Sequence, residues 1–106
     1  MVKHIIMWRL RDSAEGFSKA ENAQRVKQQL EELGRRIQEI KYLEVGINVN
    51  TSQDAFDVVL YSEFENRDDL ETYQNHPAHL AFKEFVGEIR TEKRLVDYEA
   101  EATRSD

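Results

Sequence analysis

The chain opens on alternation. Val2, His4, Ile6, Trp8 and Leu10 interleave with Lys3, Ile5, Met7 and Arg9, and a period of two predicts a β-strand. Both sets hold apolar residues, as expected of a central strand covered on both faces. Arg11 to Gly16 is polar and predicts a loop. The period then changes. Ala20, Ala23, Val26, Leu30, Leu33, Ile37 and Ile40 recur in steps of three and four, the stripe of an amphipathic helix with a solvated Gln, Glu, Arg and Lys face. Ser18 and Glu21 stand at capping-box spacing at its start. Gly34 costs about 1 kcal/mol relative to Ala inside a helix, and its place on the stripe suits close packing on a sheet.

Tyr42 to Val49 reads as a second strand, with Leu43, Val45, Ile47 and Val49 on one side. Phe56 to Phe64 reads as a third, with Phe56, Val58, Leu60 and Phe64 facing one way and Asp57, Val59, Tyr61 and Glu63 the other. The polar cluster Asn50 to Asp54 turns the chain between them into an antiparallel hairpin. A helix with an acidic first turn follows at Glu65 to Asp69 and carries Leu70 and Tyr73. It breaks at His76-Pro77 and resumes from Ala78 to Ile89, with Pro77 suited to a first helical position. Arg90 to Tyr98 predicts the last strand.

The order βαββαβ is the ferredoxin-like plan of α+β proteins, a four-stranded antiparallel sheet with both helices on one face. On simple alternation the other face carries Ile5, Met7, Leu43, Val45, Ile47, Val59 and Tyr61. An exposed apolar surface of that extent marks an interface. Two such sheets packed face to face would make a dimeric α/β barrel, so a homodimer through the sheet face is expected.

Composition narrows the function. A chain of 106 residues makes one domain, here placed at residues 1–100 with a polar tail at 101–106. The formal charge of −6 argues against nucleic acid and against anionic membranes. The absence of cysteine removes disulfides, thiolate chemistry and Cys-ligated metal. No apolar run approaches the roughly 20 residues of a membrane span, and the opening strand is too short and polar for a signal sequence. The expected compartment is the cytoplasm.

Val2-Lys3-His4 and the stretch Tyr73-Gln74-Asn75-His76-Pro77-Ala78-His79, a Tyr-x-x-His-Pro-x-His pattern, resemble the stress-responsive dimeric α/β-barrel domain family. The resemblance runs from Val2 to about Tyr98. Most bacterial members of that family have no assigned activity, and plant members are stress-induced proteins. Its polyketide cyclases, which form olivetolic acid, perform an intramolecular aldol condensation without a cofactor. The resemblance implies His79 as the base, Tyr73 as a substrate-holding group and His4 as a further pocket histidine. A second pocket histidine of those cyclases falls at Val58 here, a departure that sets the substrate apart.

The residues carry their own argument. His79, Phe82, Val86 and Ile89 share a helical face, which turns His79 toward the sheet. In the first turn after Pro77, unpaired N–H groups and the helix dipole disfavour an imidazolium, and a neutral imidazole is the form that accepts a proton. His4 shares its strand face with Ile6 and Trp8. A largely apolar pocket is therefore expected around His4, Tyr73 and His79, walled by Trp8, Phe56, Val58 and Phe82. Structural readings stand beside these. His79 would equally serve as a buried histidine bonded to backbone or to Tyr73, His4 as the partner of a group on a neighbouring strand, and His76 as a cap. Pro77 breaks the helical phase between His76 and His79, so no metal is expected; with no nucleotide fingerprint in the chain, the resemblance implies that no cofactor is needed. Three functions stay open: a cofactor-independent cyclase- or lyase-like enzyme on a small carbonyl compound, a non-catalytic stress-responsive binding or protective dimer, and, by fold analogy, a cofactor-free oxygenase.

Overall fold

The computed structural model describes residues 1–101. Apart from Glu101, the expected polar tail lies outside the described residues. Strand β1 (Val2–Leu10) leads into a small hairpin of β2 (Ser13–Ala14) and β3 (Phe17–Ser18), then helix α1 (Lys19–Arg36). Strands β4 (Ile40–Ile47) and β5 (Val58–Phe64) follow, then α2 (Arg67–Asn75), α3 (Pro77–Ile89) and β6 (Arg90–Glu99). The main sheet has the order β4-β5-β1-β6, and every neighbouring pair is antiparallel. The helices cover one face, and Val26, Leu30, Leu60, Phe64 and Ile89 form the buried centre between the layers.

Local chemistry sets the helix boundaries. Ser18 Oγ accepts from the Glu21 N–H at 3.2 Å, and the Glu21 carboxylate accepts from the Ser18 N–H at 2.9 Å, completing the capping box. Arg35 and Arg36 close the last turn of α1, where cations suit the helix dipole. The apolar stripe nevertheless runs past that end. Ile37 is the C-cap, and Ile40 belongs to β4, reaching the same core from the sheet. Periodicity alone cannot distinguish those two routes to one core. The segment expected to be plain loop also contains the β2/β3 hairpin. Its two turn residues, Glu15 and Gly16, both have positive φ, 55° and 81°, as a tight two-residue hairpin turn requires.

The open face differs from the expectation. Leu43, Val45 and Ile47 pair with Ser62, Leu60 and Val58, which belong to the buried face of β5, so these three side chains lie under the helices. Alternation gives their common side, and only the pairing decides which side that is. Val49 lies beyond the strand and is 96 % exposed. Ile5, Met7, Val59 and Tyr61 do lie on the open face. Val96 and Tyr98 join them from β6, opposite Ile5 and Lys3. Lys3 and Glu63 face each other across β1 and β5 on that side, both buried. No helix of the described residues is long and apolar enough to cross a membrane.

Leu30 has no exposed surface, so Leu30→Ala should cost about 2–5 kcal/mol. Val49→Ala should stay within about 0.5 kcal/mol. Urea unfolding checks both: the midpoint should drop for the first variant alone, at an unchanged slope.

Candidate functional site

Strand alternation turns His4, Ile6 and Trp8 toward the helices. Their register partners on β6 are Asp97, Leu95 and Lys93, so the same face continues to the sheet edge. Above it runs α3. His76 caps that helix by accepting the Ala78 N–H on Nδ1 at 3.0 Å, and Pro77 occupies the first turn, where its missing N–H costs nothing. His79 therefore sits in the first turn, with Phe82, Lys83 and Val86 following at helical spacing on the sheet side. Between these elements lies a cavity of about 360 Å³, lined by His4, Trp8, His79 and Phe82 among others.

His79 is 8 % exposed. Its Nδ1 lies 3.0 Å from the carbonyl of Gln74, in the last turn of α2. In the neutral ring Nδ1–H donates to that carbonyl, which leaves Nε2 as the acceptor. Burial is the main cause holding its pKa below the usual histidine range. The Gln74 carbonyl opposes the shift, and Lys83, His4 and Lys93 add to it. The bond to Gln74 is the backbone partner that a structural histidine would seek, and it also selects the tautomer that a base needs.

His4 is buried, and its Nδ1 pairs with the carboxylate of Asp97, whose own side chain is about one-third exposed. A strand neighbour was the expected kind of partner, and the register supplies it. His4 Nε2 and Trp8 Nε1 are buried without a protein hydrogen-bond partner among the described residues. An unpaired buried polar atom costs about 1–3 kcal/mol, so both are unusual wall atoms for a cavity.

Four of the seven expected site residues come together on the cavity: His4, Trp8, His79 and Phe82. Trp8 and Phe82 meet edge to face at 5.8 Å and form wall rather than filling the space. The other three do not line it. Tyr73 is 1 % exposed and packs behind the imidazole, its ring centroid 4.4 Å from that of His79 and 6.1 Å from that of His4. Burial pushes its hydroxyl pKa well above the ordinary tyrosine value. Val58 is core, held between Trp8 and Ile47 in the sheet. Phe56 precedes β5 and lies under the Arg9 guanidinium, 4.4 Å from its ring centre. Both lie on the β5 side of β1, whereas the cavity lies between β1, β6 and α3, and strand parity alone could not reveal that. Sequence reasoning missed Asp97, Gln74 and the cations Lys83, Arg90 and Lys93. Only Lys83, one turn beyond His79, carried a local signal. No group of three or more His, Asp or Glu among the described residues is placed to hold a metal ion.

No curated protein matches the chain. Among solved structures it resembles a dimeric protein of unknown function and ferredoxin-like fold from Bacteroides fragilis, at 36 % identity and a TM-score of 0.82 over 93 % of this chain and 95 % of that one. A dimeric ferredoxin-like protein of unknown function from Thermobifida fusca matches at 20 % identity and a TM-score of 0.80, over 93 % of this chain and 90 % of that one. A hydroxynitrile lyase from Passiflora edulis matches at 20 % identity and a TM-score of 0.76, covering 98 % of this chain and 96 % of that one. At such identity the last two likenesses are of fold. The model of the stress responsive A/B barrel domain spans residues 2–100, and the chain belongs to that family.

Proposed function

We propose that the protein is a cofactor-independent enzyme of the cyclase or lyase kind, acting on a small, largely apolar carbonyl compound with His79 Nε2 as general base. The observation that carries this reading is the state of His79. A buried imidazole, biased toward neutrality and locked into one tautomer by Gln74, stands on the wall of a cavity of about 360 Å³. Small-molecule sites begin at about that size. In the condensing direction, Nε2 takes a proton from the carbon beside a carbonyl. The resulting enolate carbon attacks a second carbonyl of the same molecule, and the imidazolium returns the proton to the alkoxide. In the lyase direction, Nε2 takes the hydroxyl proton, the hydroxyl carbon becomes a carbonyl as the carbon–carbon bond breaks, and the imidazolium protonates the departing carbanion. Trp8 and Phe82 shape the apolar wall. Tyr73 acts as a positioning residue, packing behind the imidazole rather than touching substrate.

The competing reading is a non-catalytic binding or protective dimer. It is favoured by the same Gln74 bond, which satisfies His79 as a structural side chain. Either reading includes a homodimer formed through the open sheet face, around Ile5, Met7, Val59, Val96 and Tyr98. Its support is the dimeric state of the relatives and the exposure of Met7, Val96 and Tyr98, at 40 %, 50 % and 41 %.

Hydrogen–deuterium exchange beside the carbonyl of small apolar ketones and β-keto esters, followed by NMR, reads base catalysis without knowledge of the natural substrate. His79→Ala should slow enzyme-promoted exchange by about 10²–10⁴-fold while the dimer stays folded, and Tyr73→Phe should cost far less. Absence of exchange with every carbonyl compound, with His79→Ala lowering only the melting temperature, would leave the binding dimer standing.

Acid pH supplies a second check. The folded pKa of His79 lies below its ordinary 6.5, so the unfolded chain takes up the proton first as pH falls. The stability contribution is complete above about 6.5 and is lost as pH drops through the folded value. Activity should follow the same neutral ring, with its acid limb below 6.5. His79→Gln should flatten that part of the stability profile. An NMR titration placing the ring at an unshifted pKa would sink the argument.

Sedimentation tests the assembly. The chain should run at twice its own mass at micromolar concentration, and Val96→Lys should shift it toward monomer. A wild-type monomer would remove the sheet-face dimer.

A further inference from the structure

We propose that the cavity takes a ligand with an apolar body and an anionic head, a carboxylate held at its rim by Lys83, Arg90 and Lys93. The inference rests on the reading of the cavity as a ligand site and names the class of ligand. The chain as a whole is acidic, with 21 Asp and Glu against 15 Lys and Arg. The cavity reverses that balance. Its fixed charges are the three cations Lys83, Arg90 and Lys93, and no carboxylate lines it. They arrive from two elements: Lys83 one turn beyond His79 on α3, Arg90 at the α3/β6 junction, and Lys93 opposite Trp8 in the sheet.

None of the three cations enters an ion pair among the described residues, although Glu92 lies close to Lys93 in the chain. That glutamate is taken up by Arg9 and Arg94. The protein therefore gathers like charges at one rim and leaves them without a carboxylate. The repulsion is felt within the cluster: burial first, then Arg90 and Lys83, lower the pKa of the Lys93 ammonium. Such an arrangement is stabilised by an anion. A divalent cation is repelled, and three basic side chains on an acidic chain are too few for nucleic acid. The walls inward of the rim are Ile6, Trp8, Phe82 and Val86, so only the head of the ligand is charged. An acid group at the rim would also fix which ligand carbon approaches His79.

Octanoate and 1-octanol share a body and differ in the head, which makes them suitable probes. Calorimetric and ¹⁵N-NMR titrations at low salt should show octanoate binding at least about tenfold more tightly than octanol, the scale of a charge-assisted hydrogen bond. Lys93→Gln should remove about that factor for octanoate and leave octanol unchanged, while Lys93→Arg should retain it. Added salt should weaken octanoate alone. Lys83→Gln gives the same reading should Lys93→Gln fail to fold. Equal binding of both probes, indifferent to Lys93→Gln, would overturn the anionic head while the cavity stands as an apolar site. Failure of both probes to bind or to shift the amides of Trp8 and His79 would overturn both.

Discussion

The position of β1 between β5 and β6 is the constraint on which the rest of the molecule depends. Its antiparallel register with β6 puts Asp97 beside His4, Leu95 beside Ile6 and Lys93 beside Trp8. Side chains alternate with a period of two, so a slip of one residue would exchange the faces of β6. Val96 and Arg94 would then stand under α3, and Asp97 would leave His4. The irregularity between Arg9 and Leu10 confines the mismatch to the end where β6 leaves α3, at the Arg90 corner of the cavity. The same ladder thus defines the open sheet face and the charged side chains that reach the cavity.

The second constraint is the interruption between α2 and α3. One histidine and one proline end the first helix and begin the next, with His76 capping and Pro77 needing no amide partner. The break frees the Gln74 carbonyl near the end of α2, and His79 arrives within hydrogen-bond reach of it. A continuous helix would have directed that carbonyl to the N–H of residue 78. The imidazole tautomer is therefore a by-product of how the helix stops.

Much of the fold was legible in the chain because its signals are local. Ser18 and Glu21 act across three residues, and His76-Pro77 acts within its own turn. The βαββαβ order follows from where the hydrophobic period changes. Tyr73 does meet His79, as the family's Tyr-x-x-His-Pro-x-His pattern implies, although six residues and a helix break separate them. What stayed hidden depends on distant partners. The side taken by Leu43, Val45 and Ile47 is decided by β5. Asp97 meets His4 from 93 positions away, and no period in the sequence reports that encounter. Phe56 and Val58 share a strand face with true core residues, yet they lie on the β5 side of β1, while the cavity lies on its β6 side. The cations of the rim looked like solvated charges until the sheet brought them to one edge.

Strand β6 closes the sheet on one side and belongs to two surfaces at once. Leu95 looks into the cavity, and its neighbour Val96 looks out over the open face. A peptide backbone transmits displacement along its length with little give, so the two surfaces share a mechanical element. Any movement of β6 that tightened the cavity around a guest would reshape the patch on the reverse side by the same stroke. Thermodynamic reciprocity then makes the coupling run both ways: a subunit docked on the open face would alter the hold on the guest by the factor by which the guest alters docking.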